Sequence, residues 1–315
     1  IPMIFSQPET RKKRIAKCQR SMTMGELWLP LAILAIFMYG SSMVIQKKSL
    51  HELSVPSMIL FSLLIAFPMF VAVLIYELIN GELTNIGSDG IFIGLLGATL
   101  GQIGYYTYVE AAKRGPISIV GSATATYPVM VVIVAIIFLG ELITTAQGIG
   151  VILIMVSMVT LSYTHESSND PTQASQGYYA LVILTVLAWG LWAIFTKLAL
   201  LQMSDFAFLG LYAFVVPPVT LLYYRLKSVR IRDVWPKWGF AVKLAIISSL
   251  IGNLAFFVEI MAIEVGPAAI VFPLIASAPV IVAILAFLFL RERLSRLEWL
   301  LVAGFVTGII LVSTI

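Results

Sequence analysis

The sequence predicts an all-α polytopic membrane protein of about ten transmembrane helices, arranged as two inverted five-helix repeats. Three observations carry this prediction. First, the 315-residue chain is 60% hydrophobic and only 11% charged, where soluble domains carry roughly 25% charged residues. A soluble globule cannot hide that much apolar surface, so lipid must be the solvent for much of it. Second, residues 101–128, GQIGYYTYVEAAKRGPISIVGSATATYP, recur altered at 252–279 as GNLAFFVEIMAIEVGPAAIVFPLIASAP. One offset of 151 residues pairs Gly101 with Gly252, Gly115-Pro116 with Gly266-Pro267, Pro128 with Pro279, and Glu141 with Glu292. Third, apolar runs of about 20 residues, enough to cross a bilayer as helix, number five on each side of a polar linker. A unit of five spans begins on one side of the membrane and ends on the other, so its second copy runs upside down.

In chain order, a basic tail (1–26) precedes a first repeat over 27–164, a polar linker over 165–177, and a second repeat over 178–315. The tail carries Arg11, Lys12, Lys13, Arg14, Lys17 and Arg20, and Met22 and Met24 offer alternative starts that leave its first residues in question. Spans are expected near 27–47, 56–79, 90–112, 116–139 and 145–164, then near 178–200, 204–225, 239–262, 267–290 and 296–315. The Gly-Pro pairs close one helix and open the next, since proline is tolerated in a first helical turn. Thr144-x-x-Gln147 and Ser295-x-x-Glu298 are matching capping boxes at the starts of the fifth and tenth helices. Pro68, Pro128, Pro217-Pro218, Pro273 and Pro279 interrupt helical hydrogen bonding within spans. They act either as kinks around a cavity with a hinge role or as packing kinks without one.

Composition excludes several chemistries. With one cysteine, Cys18, no intramolecular disulfide forms. Both histidines, His51 and His165, are expected in loops, so no zinc or iron site is expected. A phosphate loop of the GxxxxGK[ST] type is absent, and no cofactor is called for. The net charge of +4 sits in the tail and short loops and is not a nucleic-acid footprint. Those charges disagree about orientation. The tail places the amino terminus inside, whereas Lys47, Lys48, Lys113, Arg114, Arg225, Lys227, Arg291 and Arg293 all fall on the opposite face and place both termini outside.

Tyr39-Gly40 and Trp189-Gly190 stand in the first and sixth helices, the two Gly-Pro turns and Pro128 and Pro279 follow, and the endings Phe138-Leu139-Gly140-Glu141 and Phe289-Leu290-Arg291-Glu292 complete the set. On these residues each half resembles an EamA-type module of the drug/metabolite transporter superfamily. The resemblance covers nearly the whole chain after the tail and is silent on substrate. Gly40-Ser41-Ser42 followed by Lys47-Lys48 also resembles the first helix of NIPA-type magnesium transporters of the same superfamily.

The third helix carries a stripe at helical spacing, Ala98, Gln102, Tyr105 and Tyr108. Its repeat partners in the eighth are Ser249, Asn253, Phe256 and Glu259. Residues three and four apart share a helix face, and polar groups at mid-span face a bundle interior. One reading is a pocket in which Gln102 and Asn253 hydrogen-bond substrate and Tyr105, Tyr106 and Phe256 stack on it. The other is interhelical packing. Tyr39, Trp189 and Trp192 are further candidates for the pocket lining. Glu110 and Glu259 are the carboxylates nearest the membrane interior and the candidates for proton coupling, with a loop-paired acid as the plainer reading, Glu110 bonding Lys113 or Arg114. Lys47 and Lys197, at equivalent helix ends, read as snorkelling lysines or as an anion-attracting gate. Gly115, Pro116, Gly266, Pro267, Pro128, Pro279, Glu141 and Glu292 read as turn and hinge residues.

The expected function is a secondary active transporter of a small polar metabolite, such as an amino acid, working by alternating access in the plasma membrane and coupled to protons through those acids. The alternatives are a divalent-cation carrier, which needs several converging oxygen ligands, and a membrane-embedded lipid enzyme, which needs a nucleophile–base pair or metal ligands.

Overall fold

The computed structural model describes residues 27–50, 52–81, 86–114, 123–167, 177–290 and 295–313. Among these residues it is all helical: α1 (Trp28–Leu50), α2 (Val55–Asn80), α3 (Ser88–Arg114), α4 (Tyr127–Ile137), α5 (Thr145–Ser167), α6 (Tyr178–Leu200), α7 (Asp205–Leu226), α8 (Ile231–Val234), α9 (Phe240–Val265), α10 (Ala268–Ala276), α11 (Ala278–Leu290) and α12 (Arg296–Val312). Ten spans result, because α10 and α11 together make the ninth and α8 is a four-residue turn in a loop. Six of the described segments are long and apolar enough to cross a membrane by length and composition: α1, α2, α6, α7, α9 and the stretch Ala268–Leu285. Their outward faces carry large exposed apolar side chains, among them Phe37, Ile75, Ile183, Phe214 and Ile247. In water such a surface would aggregate; in a bilayer it is the lipid contact.

The principal helix contacts join one half to the other. α1 packs on α9, α3 on α6, α2 on α7, α5 on α12, and α4 on α10. Exchanging the halves turns the first pair into the second and each of the others into itself, as a pseudo-two-fold axis in the membrane plane requires. Glycines permit the closest crossings. A Cβ on Gly150 would sit 2.8 Å from the Gly308 carbonyl oxygen, and one on Gly101 would sit 2.6 Å from Trp192 Cδ1. Helices in lipid associate largely through such close van der Waals contact.

Local chemistry sets the helix ends. Both capping boxes form. Thr144 N–H donates to Gln147 Oε1 at 2.9 Å and Gln147 N–H to Thr144 Oγ1 at 3.2 Å. Ser295 N–H donates to Glu298 Oε2 at 2.6 Å, with the reciprocal bond to Ser295 Oγ at 3.2 Å. Gly81, at φ 71°, ends α2 in the left-handed conformation that glycine adopts without strain.

Three expectations need correction. The fourth and ninth spans are interrupted rather than continuous, with turns at Ala125-Thr126 and at Ser277. Pro128 and Pro279 therefore sit in the first turn of a new helical segment, where proline's missing N–H costs nothing. α5 runs on to Ser167, so His165 belongs to a helix and not to the linker. α2 and α7 continue through Pro68 and through Pro217-Pro218, and Pro68 and Pro218 are exposed on the lipid side.

Candidate functional site

The two interruptions are built alike. In the first half, Thr126 Oγ1 donates to the Ala123 carbonyl at 2.6 Å; in the second, Ser277 Oγ donates to the Leu274 carbonyl. The backbone bonds match too: Thr126 N–H to Ala123 O and Val129 N–H to Thr126 O, each at 3.0 Å, correspond to Ser277 N–H to Leu274 O at 3.2 Å and Val280 N–H to Ser277 O at 2.9 Å. All three pairs of positions, Ala123 with Leu274, Thr126 with Ser277 and Val129 with Val280, obey the 151-residue offset. A broken helix inside a bilayer must re-satisfy the backbone groups it frees, and is tolerated where it lines a cavity.

It does line one. Thr124, Ala125 and Tyr127 from one interruption, and Ile275, Ala276, Ala278 and Pro279 from the other, border a cavity of about 310 Å³ between the halves. The predicted stripes supply two of its walls: Gln102, Tyr105 and Tyr108 from α3, and Ser249, Asn253, Phe256 and Glu259 from α9. Tyr39, Trp189 and Trp192 also border it. Tyr106 does not. One residue on from Tyr105, it is turned about 100° round the helix and is buried against α7, its hydroxyl 2.5 Å from Thr220 Oγ1.

Hydrogen bonds fix the lining, those of Tyr39 and Ser42 across the halves and those of Trp192 and Asn253 within the second half. Tyr39 Oη donates to Glu259 Oε2 at 2.5 Å. Trp192 Nε1 donates to Tyr212 Oη at 2.9 Å. Ser42 Oγ donates to the Ser248 carbonyl at 2.8 Å, and Asn253 Nδ2 to the Ser249 carbonyl at 2.7 Å. Glu259 is 4% exposed and borders the cavity. Sequence reasoning missed Tyr212, Phe70, Tyr127, Ser62 and Gln46, all of which border the cavity. α2 and α7 are so uniformly apolar that no stripe marks the face of Phe70 or Tyr212. Tyr127 was within reach of the pattern, since it immediately precedes a repeated proline.

The two proton-coupling candidates separate. Glu110 lies outside the cavity lining. Its Oε2 is 2.6 Å from Lys227 Nζ and 3.4 Å from Arg114 Nε, and its Oε1 accepts from Tyr223 Oη at 2.7 Å. It is a loop-paired acid tying α3 to the end of α7. The Arg114 pairing matches expectation, and Lys227 is a partner the sequence did not suggest.

The turn residues hold one face of the bundle together. Both carboxylate oxygens of Glu141 accept backbone N–H bonds at the start of α10, from Ala268 and Ala269, each at 2.9 Å. A negative charge on exposed helix-terminal N–H groups is stabilising. Lys197 is 9% exposed and donates to the Ile263 carbonyl at 2.9 Å and the Gly266 carbonyl at 2.7 Å. It caps the end of α9 and does not snorkel to head groups. Gly266 is required by crowding, because a Cβ there would meet Val271 at 2.6 Å and Trp28 at 2.7 Å. Pro267 is the N-cap of α10. Gly115, Pro116 and Glu292, and the side chain of Lys47, lie outside the described residues.

Two oppositely directed helical halves enclosing a cavity at their broken helices define a membrane transporter. The sequence profile of the EamA-like transporter family matches residues 26–163 and again 176–314, and the chain belongs to that family, within the drug/metabolite transporter superfamily. It is a multi-pass integral membrane protein of a transporter family, not of an enzyme family. A solved structure, titled only as the crystal structure of a protein, is similar at 18% identity with a TM-score of 0.68, over 90% of this chain and 95% of that one. That likeness shows the fold. No match was found among curated proteins.

Proposed function

We propose that this chain is a secondary active transporter that moves a small polar metabolite, an amino acid or related solute, across the plasma membrane by alternating access. The observation that supports this best is the cavity itself. It lies between the halves, and it is bordered by both helix interruptions, by the amides Gln102 and Asn253, and by aromatic rings from both halves. Rocking one half against the other about that cavity would expose it to each side in turn.

Glu259 is the carboxylate among the described lining residues and serves as the exchangeable proton site. Glu110 is withdrawn from that role by its bonds to Lys227, Arg114 and Tyr223. A divalent-cation carrier would set several oxygen anions around the ion, and the described lining offers one.

The test is uptake of a radiolabelled panel of amino acids and the related amines that lack the carboxylate into proteoliposomes holding the full chain, with and without an imposed proton gradient. Accumulation driven by the gradient is expected. Flux of none of the panel, with lipid turnover in its place, would sink the proposal. Flux that ignores the gradient would remove the proton.

A further inference from the structure

We infer that the cavity selects small monocationic amines, setting the ammonium group against Glu259 within a ring of aromatic side chains. This rests on the reading of the cavity as the substrate site of a carrier of small polar metabolites, and within that class it sets amines ahead of zwitterionic amino acids.

Charge is the first argument. Among the described residues bordering the cavity, Glu259 carries the only formal charge, and no Lys, Arg or His accompanies it. A buried charge is costly unless it is paired. Tyr39 gives Glu259 one hydrogen bond; a substrate ammonium gives it a counter-charge. A zwitterionic amino acid would bring a second carboxylate, and the described lining holds only neutral hydroxyls, amides and ring N–H groups to receive it.

The aromatic arrangement is the second argument. Tyr39, Tyr127, Trp192, Tyr212 and Phe256 all border the cavity with Glu259. Four of these rings form a connected set: Tyr212 to Phe256 at 5.0 Å between centroids, Trp192 to Phe256 at 6.3 Å, and Tyr127 to Trp192 at 6.5 Å. The Trp192–Tyr212 hydrogen bond holds two of them in place. Cations are attracted to Trp and Tyr faces, most strongly where water is excluded.

Position is the third. Glu259 lies six residues before the end of α9 at Val265, about 9 Å along the helix. Beyond it stands the turn held by Lys197 and Glu141. The amide and hydroxyl groups of Gln46, Ser62, Gln102 and Ser249 border the same cavity and suit a polar substituent on the rest of the molecule.

The test is calorimetric binding to the purified full chain in lipid nanodiscs. Matched amine, alcohol and carboxylate probes are used on three bodies: butyl, 2-phenylethyl and 2-(indol-3-yl)ethyl, with phenylalanine and tryptophan as zwitterions. On at least one body the amine should bind about tenfold or more tightly than the alcohol, and more tightly than the carboxylate or zwitterion. Glu259→Gln should bring the amine-to-alcohol ratio close to one while alcohol binding persists. Phe256→Leu, which keeps the carboxylate and the apolar volume, should weaken the amine more than the alcohol. The inference is overturned if no amine binds, if a zwitterion or carboxylate binds as tightly, or if both variants keep the amine preference. Proteoliposome flux separates this from the carrier reading. Amino acid flux without amine binding would leave the carrier and end the inference; amine binding without flux of any probe would do the reverse.

Discussion

Tyr39 and Glu259 stand 220 residues apart and meet across the two halves, the tyrosine hydroxyl donating to the carboxylate at 2.5 Å. The bond joins α1 to α9 inside the cavity, so it links the helix packing to the group proposed to take up the proton. Tyr39→Phe removes a partner from a buried carboxylate, which costs about 1–3 kcal/mol. The variant should unfold at a lower temperature in detergent while retaining gradient-driven uptake. Glu259→Gln should lose the dependence of uptake on the proton gradient. Unchanged gradient dependence in that variant would remove Glu259 from coupling.

Glu141 reaches from the first half to the start of α10 in the second and accepts two backbone N–H bonds. Losing a helix cap costs about 0.5–2 kcal/mol. Glu141→Ala should lower the thermal midpoint more than Glu141→Gln, which keeps one acceptor oxygen. A Glu141→Ala midpoint equal to that of the unsubstituted protein would show that the cap adds nothing.

Glu110 should behave as an ion-pair residue. A double-mutant cycle with Glu110→Gln and Lys227→Met should return a coupling of about 1 kcal/mol or less, because Lys227 is about a third exposed and water screens the pair. Uptake and its gradient dependence should survive Glu110→Gln. Loss of gradient dependence would return Glu110 to the coupling role.

Gly101 and Gly252 occupy the same place in the two repeats, yet alanine should affect them unequally. At Gly101 the new methyl group would sit 2.6 Å from Trp192 Cδ1 and 3.0 Å from Nε1, forcing the indole off its bond to Tyr212. At Gly252 it would meet the Ser42 hydroxyl at 2.9 Å, a small group that can rotate aside with the loss of its single bond to the Ser248 carbonyl. Overpacking costs about 1–3 kcal/mol. Gly101→Ala should raise the KM for uptake and lower the thermal midpoint, with Gly252→Ala the milder change. Thermal unfolding and uptake kinetics on the pair would decide it.

The sequence by itself determined the class of fold. Bilayer thickness fixes span length, and the fixed offset between copies fixes the repeat, so helix number, inversion and the cavity-facing stripe of α3 and α9 were all legible from local pattern. Gln102, Tyr105, Asn253, Phe256 and Glu259 were recognisable because a polar or aromatic group on an apolar helix must face protein. Only the tertiary structure decided how elements far apart in the chain meet. It turned Tyr106 away from the cavity that Tyr105 borders, and it gave Glu110 to Lys227. It brought Tyr212 and Phe70 from featureless apolar helices into the lining, and it broke the fourth and ninth spans at Thr126 and Ser277. Periodicity reports which residues share a face of one helix; which helix that face meets is set by packing between the halves, and no single span encodes it.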